Sequence, residues 1–297
     1  MSIALLVLPD FLLIAFGWIL CRKLGFSREF FTGLEKLVYY VLFPALLFQS
    51  ILRTPISMSN AADIFLATGA TALAGIALVW VARPVLRPAP VAMASAAQCG
   101  YRFNTYIALA LAPSLAGTVG QSTMALIVGF AVPVVNFAAV FALARHHGSN
   151  VAGALLRNPL LMSTVLGVVC NLAGLQLPAP IDTLFARLGA AAVALGILCV
   201  GASLLWQPGQ IKFSLVAWVL TVKLIALPAC AWLIALWLGL DPVKRQMLIL
   251  FAAMPPASAA YVLAVRMGGD GKLVSLIISI GTPLAALTIP LWLLLAS

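Results

Sequence analysis

Ten apolar runs, each near the length of a bilayer-spanning helix, follow one another along the chain with only short separators between them. They cover roughly 5–21, 34–52, 61–82, 91–112, 120–144, 159–175, 184–206, 211–239, 246–266 and 273–296. A spanning helix needs about 20 mostly apolar residues. Ten such helices and their loops use up all 297 residues and leave no soluble domain. Composition agrees: 64% of the residues are hydrophobic and 8% are charged, too few charges to solvate the exterior of a water-soluble fold. The separators carry charge or turn residues, as in Arg22-Lys23, Arg53-Thr54-Pro55, Arg83-Pro84, Arg145-His146-His147-Gly148, Gln207-Pro208-Gly209 and Gly268-Gly269-Asp270-Gly271.

The formal net charge of +10 does not point to nucleic acid, because the basic residues stand singly between apolar runs and form no patch. Cys21, Cys99, Cys170, Cys199 and Cys230 lie in or beside apolar segments with no metal-ligand or disulfide spacing, and read as buried apolar residues. The first run lacks a basic leader, carries Asp10 and is followed by Arg22 and Lys23, so it reads as a retained span with its amino end outside.

The two halves of the chain look related. A shift of 150 residues places Pro9 on Pro159, Gly17 on Gly167, Leu34 on Leu184, Thr71 on Thr221 and Pro133 on Pro283. Proline inside a helix removes a hydrogen bond, so the proline matches weigh more than the others. Five spans per half would insert the second half upside down, the inverted-repeat plan of many secondary transporters. The expected units are residues 1–148 and 149–297. Loops after odd-numbered spans carry eleven basic residues: Arg22, Lys23, Arg28, Lys36, Arg83, Arg87, Arg145, Arg157, Lys212, Arg266 and Lys272. Loops after even-numbered spans carry four: Arg53, Arg187, Lys244 and Arg245. That bias puts the odd loops in the cytoplasm and both termini outside.

Two basic residues, Arg102 and Lys223, do not sit at a loop. Charge at the bilayer centre costs about 2.5–3.5 kcal/mol on insertion scales and marks a functional candidate. Arg102 lies about 11 residues from either end of its segment, roughly 16 Å at 1.5 Å per residue, too deep to reach water readily. It either meets a ligand or braces the bundle through a helix-end carbonyl. Lys223 has the further option of snorkelling to the interface. Arg102 stands in a polar island, Gln98-Cys99-Gly100-Tyr101-Arg102-Phe103-Asn104-Thr105-Tyr106. At the corresponding depth of the ninth span, Met254-Pro255-Pro256-Ala257-Ser258 should break the helix. Paired interruptions in two halves are the best sequence pointer to a transporter's binding site. Half-helix amino termini there favour an anion. The candidate binding residues are Arg102, Asn104, Thr105, Tyr106, Pro255, Pro256, Ser258, Lys223 and Gln49.

Several stretches resemble motifs of the auxin efflux carrier family, the bacterial relatives of the plant PIN-FORMED carriers. They are Leu42-Phe43-Pro44-Ala45-Leu46-Leu47-Phe48, Arg157-Asn158-Pro159-Leu160 with Gly167 and Pro178 after it, and Gly201-Ala202-Ser203-Leu204. Further on come Ala253-Met254-Pro255-Pro256-Ala257, Ala260-Tyr261-Val262-Leu263-Ala264, Gly268-Gly269-Asp270, and Thr282-Pro283-Leu284 through Pro290-Leu291. The resemblance implies ten helices in a bile acid symporter-like plan. Spans 1, 2, 6 and 7 would form a scaffold. Spans 3–5 and 8–10 would form a mobile transport domain, with broken spans 4 and 9 crossing inside it. Asn104 matches the family's crossover asparagine. Leu109-Ala110-Leu111 stands where Gly-x-Pro is usual, with a proline only at Pro113, and Ala259 stands where an asparagine often follows the proline.

The expected fold is therefore an all-α polytopic membrane protein, and the expected function is alternating-access transport of a small organic anion such as an auxin-like or malate-like carboxylate. No nucleophile–base pair or carboxylate cluster supports an enzyme. No ring of repeated polar residues supports a channel. Intramembrane acids are scarce, with Asp10, Asp63 and Glu35 near span ends, which favours uniport or efflux over proton coupling. Sodium symport is the alternative, because backbone carbonyls at broken helices can bind sodium. No cofactor or metal is called for. The expected partners are the organic anion and the lipid bilayer of a bacterial inner membrane. Nucleic acid is excluded, and a homodimer is left open.

Overall fold

The computed structural model describes residues 3–53, 58–144, 159–204, 213–257 and 259–296. Ser258, the Arg145–Gly148 and Gln207–Gly209 separators, and the Arg157-Asn158 start of one motif lie outside the described residues. Helix is the only regular structure among the described residues. The helices are α1 Ile3–Arg22, α2 Arg28–Leu37, α3 Phe43–Leu52, α4 Met58–Trp80, α5 Ala82–Leu86, α6 Pro90–Tyr101 and α7 Thr105–Ala144. They continue as α8 Pro159–Leu172, α9 Ala179–Ser203, α10 Phe213–Thr221, α11 Leu227–Trp237, α12 Pro242–Ala253, α13 Ala259–Arg266 and α14 Gly271–Ala296.

Six described stretches are long and apolar enough to cross a membrane: Arg28–Gln49, Ala62–Leu86, Pro90–Leu143, Ala179–Ala202, Phe213–Trp237 and Gly271–Ala296. This differs from ten separate runs for two physical reasons. Interruptions divide some apolar runs into helices too short to qualify, as in α12 and α13. Elsewhere neighbouring runs fall in one stretch without a separating loop: Pro90–Leu143 holds 54 residues. At 1.5 Å per residue that is roughly 80 Å, far more than the ~30 Å of one crossing. The helical geometry of α7 also fails at Ala116 and Gly117, where Gly117 takes φ 59° and ψ −148°. A side chain rarely tolerates that conformation, so the glycine sets the kink.

Lipid-soluble surface and packed interior separate cleanly. Trp237, Leu287, Leu295 and Phe213 are more than 60% exposed, as expected of side chains solvated by lipid. By contrast Met247–Ala253 in α12 and Met93–Tyr101 in α6 are buried on every side, which marks these two as central helices. Around them pack α4, α7, α10, α11 and α14. A second group joins α1 to α9, and α3 to both α8 and α9. At the α1–α9 crossing the backbones touch: Gly17 lies against the Leu198 carbonyl and Gly201 against the Ile14 carbonyl, neither leaving room for a Cβ. Small residues at such crossings let membrane helices approach closely.

Prolines shape the helix interiors. Pro228 has no N–H to offer the carbonyl of Leu224, four residues back, and the chain opens into a π turn over Val222–Ala226. The freed Leu224 carbonyl accepts a hydrogen bond from Trp292 Nε1 at 2.9 Å. Pro44 is likewise preceded by a π turn over Val38–Leu42. In a bilayer such carbonyls must find partners inside the protein, and here a tryptophan supplies one.

Candidate functional site

Two central helices end at matching breaks. α6 stops at Tyr101, Arg102 is extended, and residues 102–104 are non-helical before α7 begins. α12 stops at Ala253, and Met254 turns out of the helix with ψ 145°. Pro255 and Pro256 hold that segment open, since two adjacent rings cannot continue a helix. The breaks touch: the Asn104 N–H donates to the Pro255 carbonyl at 2.9 Å. Pro256 packs against Gly281 of α14, where an added Cβ would lie 3.0 Å from its ring.

Beside this crossing lies a cleft that is partly continuous with the exterior. Its polar lining is Tyr39, Arg102, Asn104, Thr105, Tyr106 and Asn136. Phe43, Phe103, Val132, Val135, Ala257 and Ala259 complete it. Tyr106 reaches from the crossing to the second helix group, edge-on to Phe43 with ring centroids 4.4 Å apart and over Gly196 of α9.

Arg102 is 9% exposed, and neutral amides hold it. Its Nη1 donates to Gln98 Oε1 at 3.0 Å and its Nη2 to Asn136 Oδ1 at 2.8 Å. Gln98 is itself fixed by donating from Nε2 to the Ala260 carbonyl at 3.2 Å. A guanidinium carries five N–H donors, and these two bonds leave capacity for a ligand. The ion pairs among the described residues, Arg53–Asp182 and Lys244–Asp241, do not involve it. Asn104 divides its side chain. Its Oδ1 caps α7 by accepting from the N–H groups of Tyr106 and Ile107, at 3.1 and 3.3 Å. Its Nδ2 is buried without a hydrogen-bond partner among the described residues. The residues that line the cleft thus include a positioned cation and an asparagine with an unspent amide donor.

Residues 2–147 and 143–293 match the family described as Membrane transport protein. The chain belongs to this family. A protein of Rhizobium meliloti (strain 1021) named "Putative malonate transporter" is 27% identical over 297 residues, covering 96% of this chain and 92% of that one. An uncharacterized transporter of Methanothermobacter thermautotrophicus is 28% identical over 300 residues, covering 96% of each. As a membrane transport protein with several apolar spans, the chain is a multi-pass membrane protein and a transporter, not an enzyme. The auxin efflux carrier resemblance of its motifs is the same assignment.

Within this transporter the sequence candidates separate. Arg102, Asn104, Thr105 and Tyr106 line the cleft. Pro255 and Pro256 shape the crossing but do not line it. Lys223 is fully buried away from the cleft, so it does not snorkel, and its Nζ donates to the Ala252 carbonyl at 2.9 Å. The helix-end brace considered for Arg102 is thus the contact that Lys223 makes. Gln49 also lies off the cleft, donating from Nε2 to the backbone carbonyl and Oδ1 of Asp182 at 2.7 and 2.8 Å, and so joins α3 to α9. Asn136 was not among the sequence candidates, although an asparagine three residues after an intramembrane proline is itself a signal.

Proposed function

We propose that this chain is a secondary transporter that moves a small dicarboxylate, malonate or a malate-like acid, through the Arg102 cleft by alternating access. The observation that carries the reading is that two residues of one lining, Arg102 and Asn104, hold a guanidinium without an ion pair and an Nδ2 without a hydrogen-bond partner among the described residues. A carboxylate answers both, since a bidentate anion suits a guanidinium and accepts from an amide. The name of the Rhizobium relative favours malonate among such acids. Tyr39 and Tyr106 give a polar edge for a second carboxylate.

Alternating access is supported by the packing. α1, α3, α8 and α9 associate with one another, while α4, α6, α7, α10, α11, α12 and α14 associate around the crossing. The former group fits a scaffold and the latter a mobile domain, with Tyr106 on Phe43 and Gly196 at their contact. The 54-residue Pro90–Leu143 stretch, interrupted at 102–104 and kinked at Ala116–Gly117, fits two crossings and so favours ten in all. The basic-residue bias favours both termini outside a bacterial inner membrane. Cysteine labelling is expected to find the loop between Arg145 and Arg157 cytoplasmic. An external loop with internal termini would reverse the orientation.

Coupling is expected to be absent. Purified protein in vesicles should exchange labelled malonate with equal pH on both sides and with choline in place of sodium. Strict dependence on a proton or sodium gradient would replace uniport with symport, and failure to move any carboxylate in a panel would remove the anion reading altogether.

A further inference from the structure

The break that builds the cleft also leaves α12 with an unfinished carboxyl end. The last four carbonyls of a helix have no intrahelical partner, and the aligned peptide dipoles leave partial negative charge there. α12 ends at Ala253 in the middle of the packed core, where water cannot serve those carbonyls. In transporters with discontinuous helices, such ends are where mobile coupling cations are held. Here the Lys223 ammonium is 2.9 Å from the Ala252 carbonyl and 0% exposed.

Among the described residues, the elements around this ammonium offer it no carboxylate. The π turn carrying Lys223 packs against α4, α6, α12 and α14. α6, α12 and α14 contain no Asp or Glu, and the one acid of α4, Asp63, is exposed near that helix's start. A neutral donor such as serine or glutamine would suffice to satisfy a single carbonyl. The carboxyl end of α12 carries partial negative charge, and the Lys223 side chain places its amine against it.

We infer that Lys223 is a tethered cation, its ammonium filling the position at the end of α12 that a free monovalent cation would otherwise occupy, so the transport cycle needs no co-bound cation. The inference rests on the transporter reading and deepens it, by giving a structural reason for ion-independent transport. It also accounts for the place of Lys223 away from the cleft. The π turn forced by Pro228 is the device that delivers the side chain to Ala252.

Thermal stability tests this without reference to the transported molecule. Full-length Lys223→Ala is purified in parallel in choline chloride and in ethylammonium chloride, then melted in each and in sodium chloride. Ethylammonium is small enough for the space that the lysine chain vacates, and choline is too large. The wild-type protein is expected to melt at one temperature in all three salts. Lys223→Ala is expected to melt about 3 °C or more higher in ethylammonium or sodium chloride than in choline chloride, because an ion that binds only the folded state raises its melting temperature. Recovery of folded variant in ethylammonium alone is the same result. Lys223→Met fills the space without charge, and is expected to melt below wild type and to ignore the cation. Equal melting of Lys223→Ala in every salt, its failure to fold in all of them alike, sodium stabilisation of the wild type, or a Lys223→Met variant as stable as wild type would each overturn the inference. Wild-type protein that moves no malonate would sink the substrate reading and leave this one intact.

Discussion

Replacing Arg102 with glutamine is expected to weaken malonate binding by about 10- to 150-fold while leaving the melting temperature close to wild type. Glutamine can still hydrogen-bond within the Gln98–Asn136 pair that holds the guanidinium, so the local frame keeps polar partners. What it cannot supply is charge. A hydrogen bond to a charged group contributes about 1.5–3 kcal/mol, and each 1.4 kcal/mol is about tenfold in affinity. Asn104 separates differently. Asn104→Ala loses the cap on α7 as well as the free amide, and a lost cap costs about 0.5–2 kcal/mol. It should therefore lower stability and affinity together. Asn104→Asp keeps an oxygen for the cap but brings a negative charge beside Arg102, and should exclude the anion with less loss of stability. Isothermal titration and thermal melts of the three variants decide the matter. A glutamine variant that melts well below wild type yet binds normally would make Arg102 a brace instead of a ligand.

The second large effect is expected at the α1–α9 crossing. Gly201 faces the Ile14 carbonyl, and the Trp18 nitrogen lies 2.9 Å from where a Cβ would stand. The obstruction is backbone, which cannot rotate aside as a side chain can. Gly201→Val must therefore push the helices apart. Overpacking typically costs about 1–3 kcal/mol, and with rigid backbone on the far side the upper end or beyond is expected. That corresponds to a fall of about 6–12 °C in melting temperature. Gly33→Ala is the control, since nothing lies within 4 Å of its added carbon and alanine is the better helix former. It should be neutral or stabilising. Should Gly201→Val melt like wild type, the close backbone contact at this crossing would be wrong.

How much was legible beforehand varies with the range of the physics involved. Where the solvent is lipid, twenty apolar residues in a row declare a helix, because backbone groups have no other partners there. The helical, membrane-embedded character of the chain followed from that alone. So did the interruption at Pro255-Pro256, since a missing donor and two obstructing rings act within one turn of chain. The depth of Arg102 needed only counting. Yet the apolar runs did not reveal that the link between two of them is only a kink, at Ala116–Gly117 within the Pro90–Leu143 stretch.

Partners were a different matter. Arg102 finds Asn136, 34 residues away, and Lys223 finds Ala252, 29 residues away. Gln49 meets Asp182 at a separation of 133 residues. A soluble helix announces its inner face by alternating polar and apolar residues. Here nearly every face is apolar, so periodicity says little about which side meets protein and which meets lipid. The amino-acid sequence by itself determined that the chain is a helical membrane protein, that a buried cation and a forced helix break lie within it, and that its motifs belong with a family of transport proteins. Only the tertiary structure decided which cation faces the cleft and which one closes a helix end. The reason is that hydrogen bonds between distant helices depend on where small residues, such as Gly17 and Gly201, allow the backbones to meet.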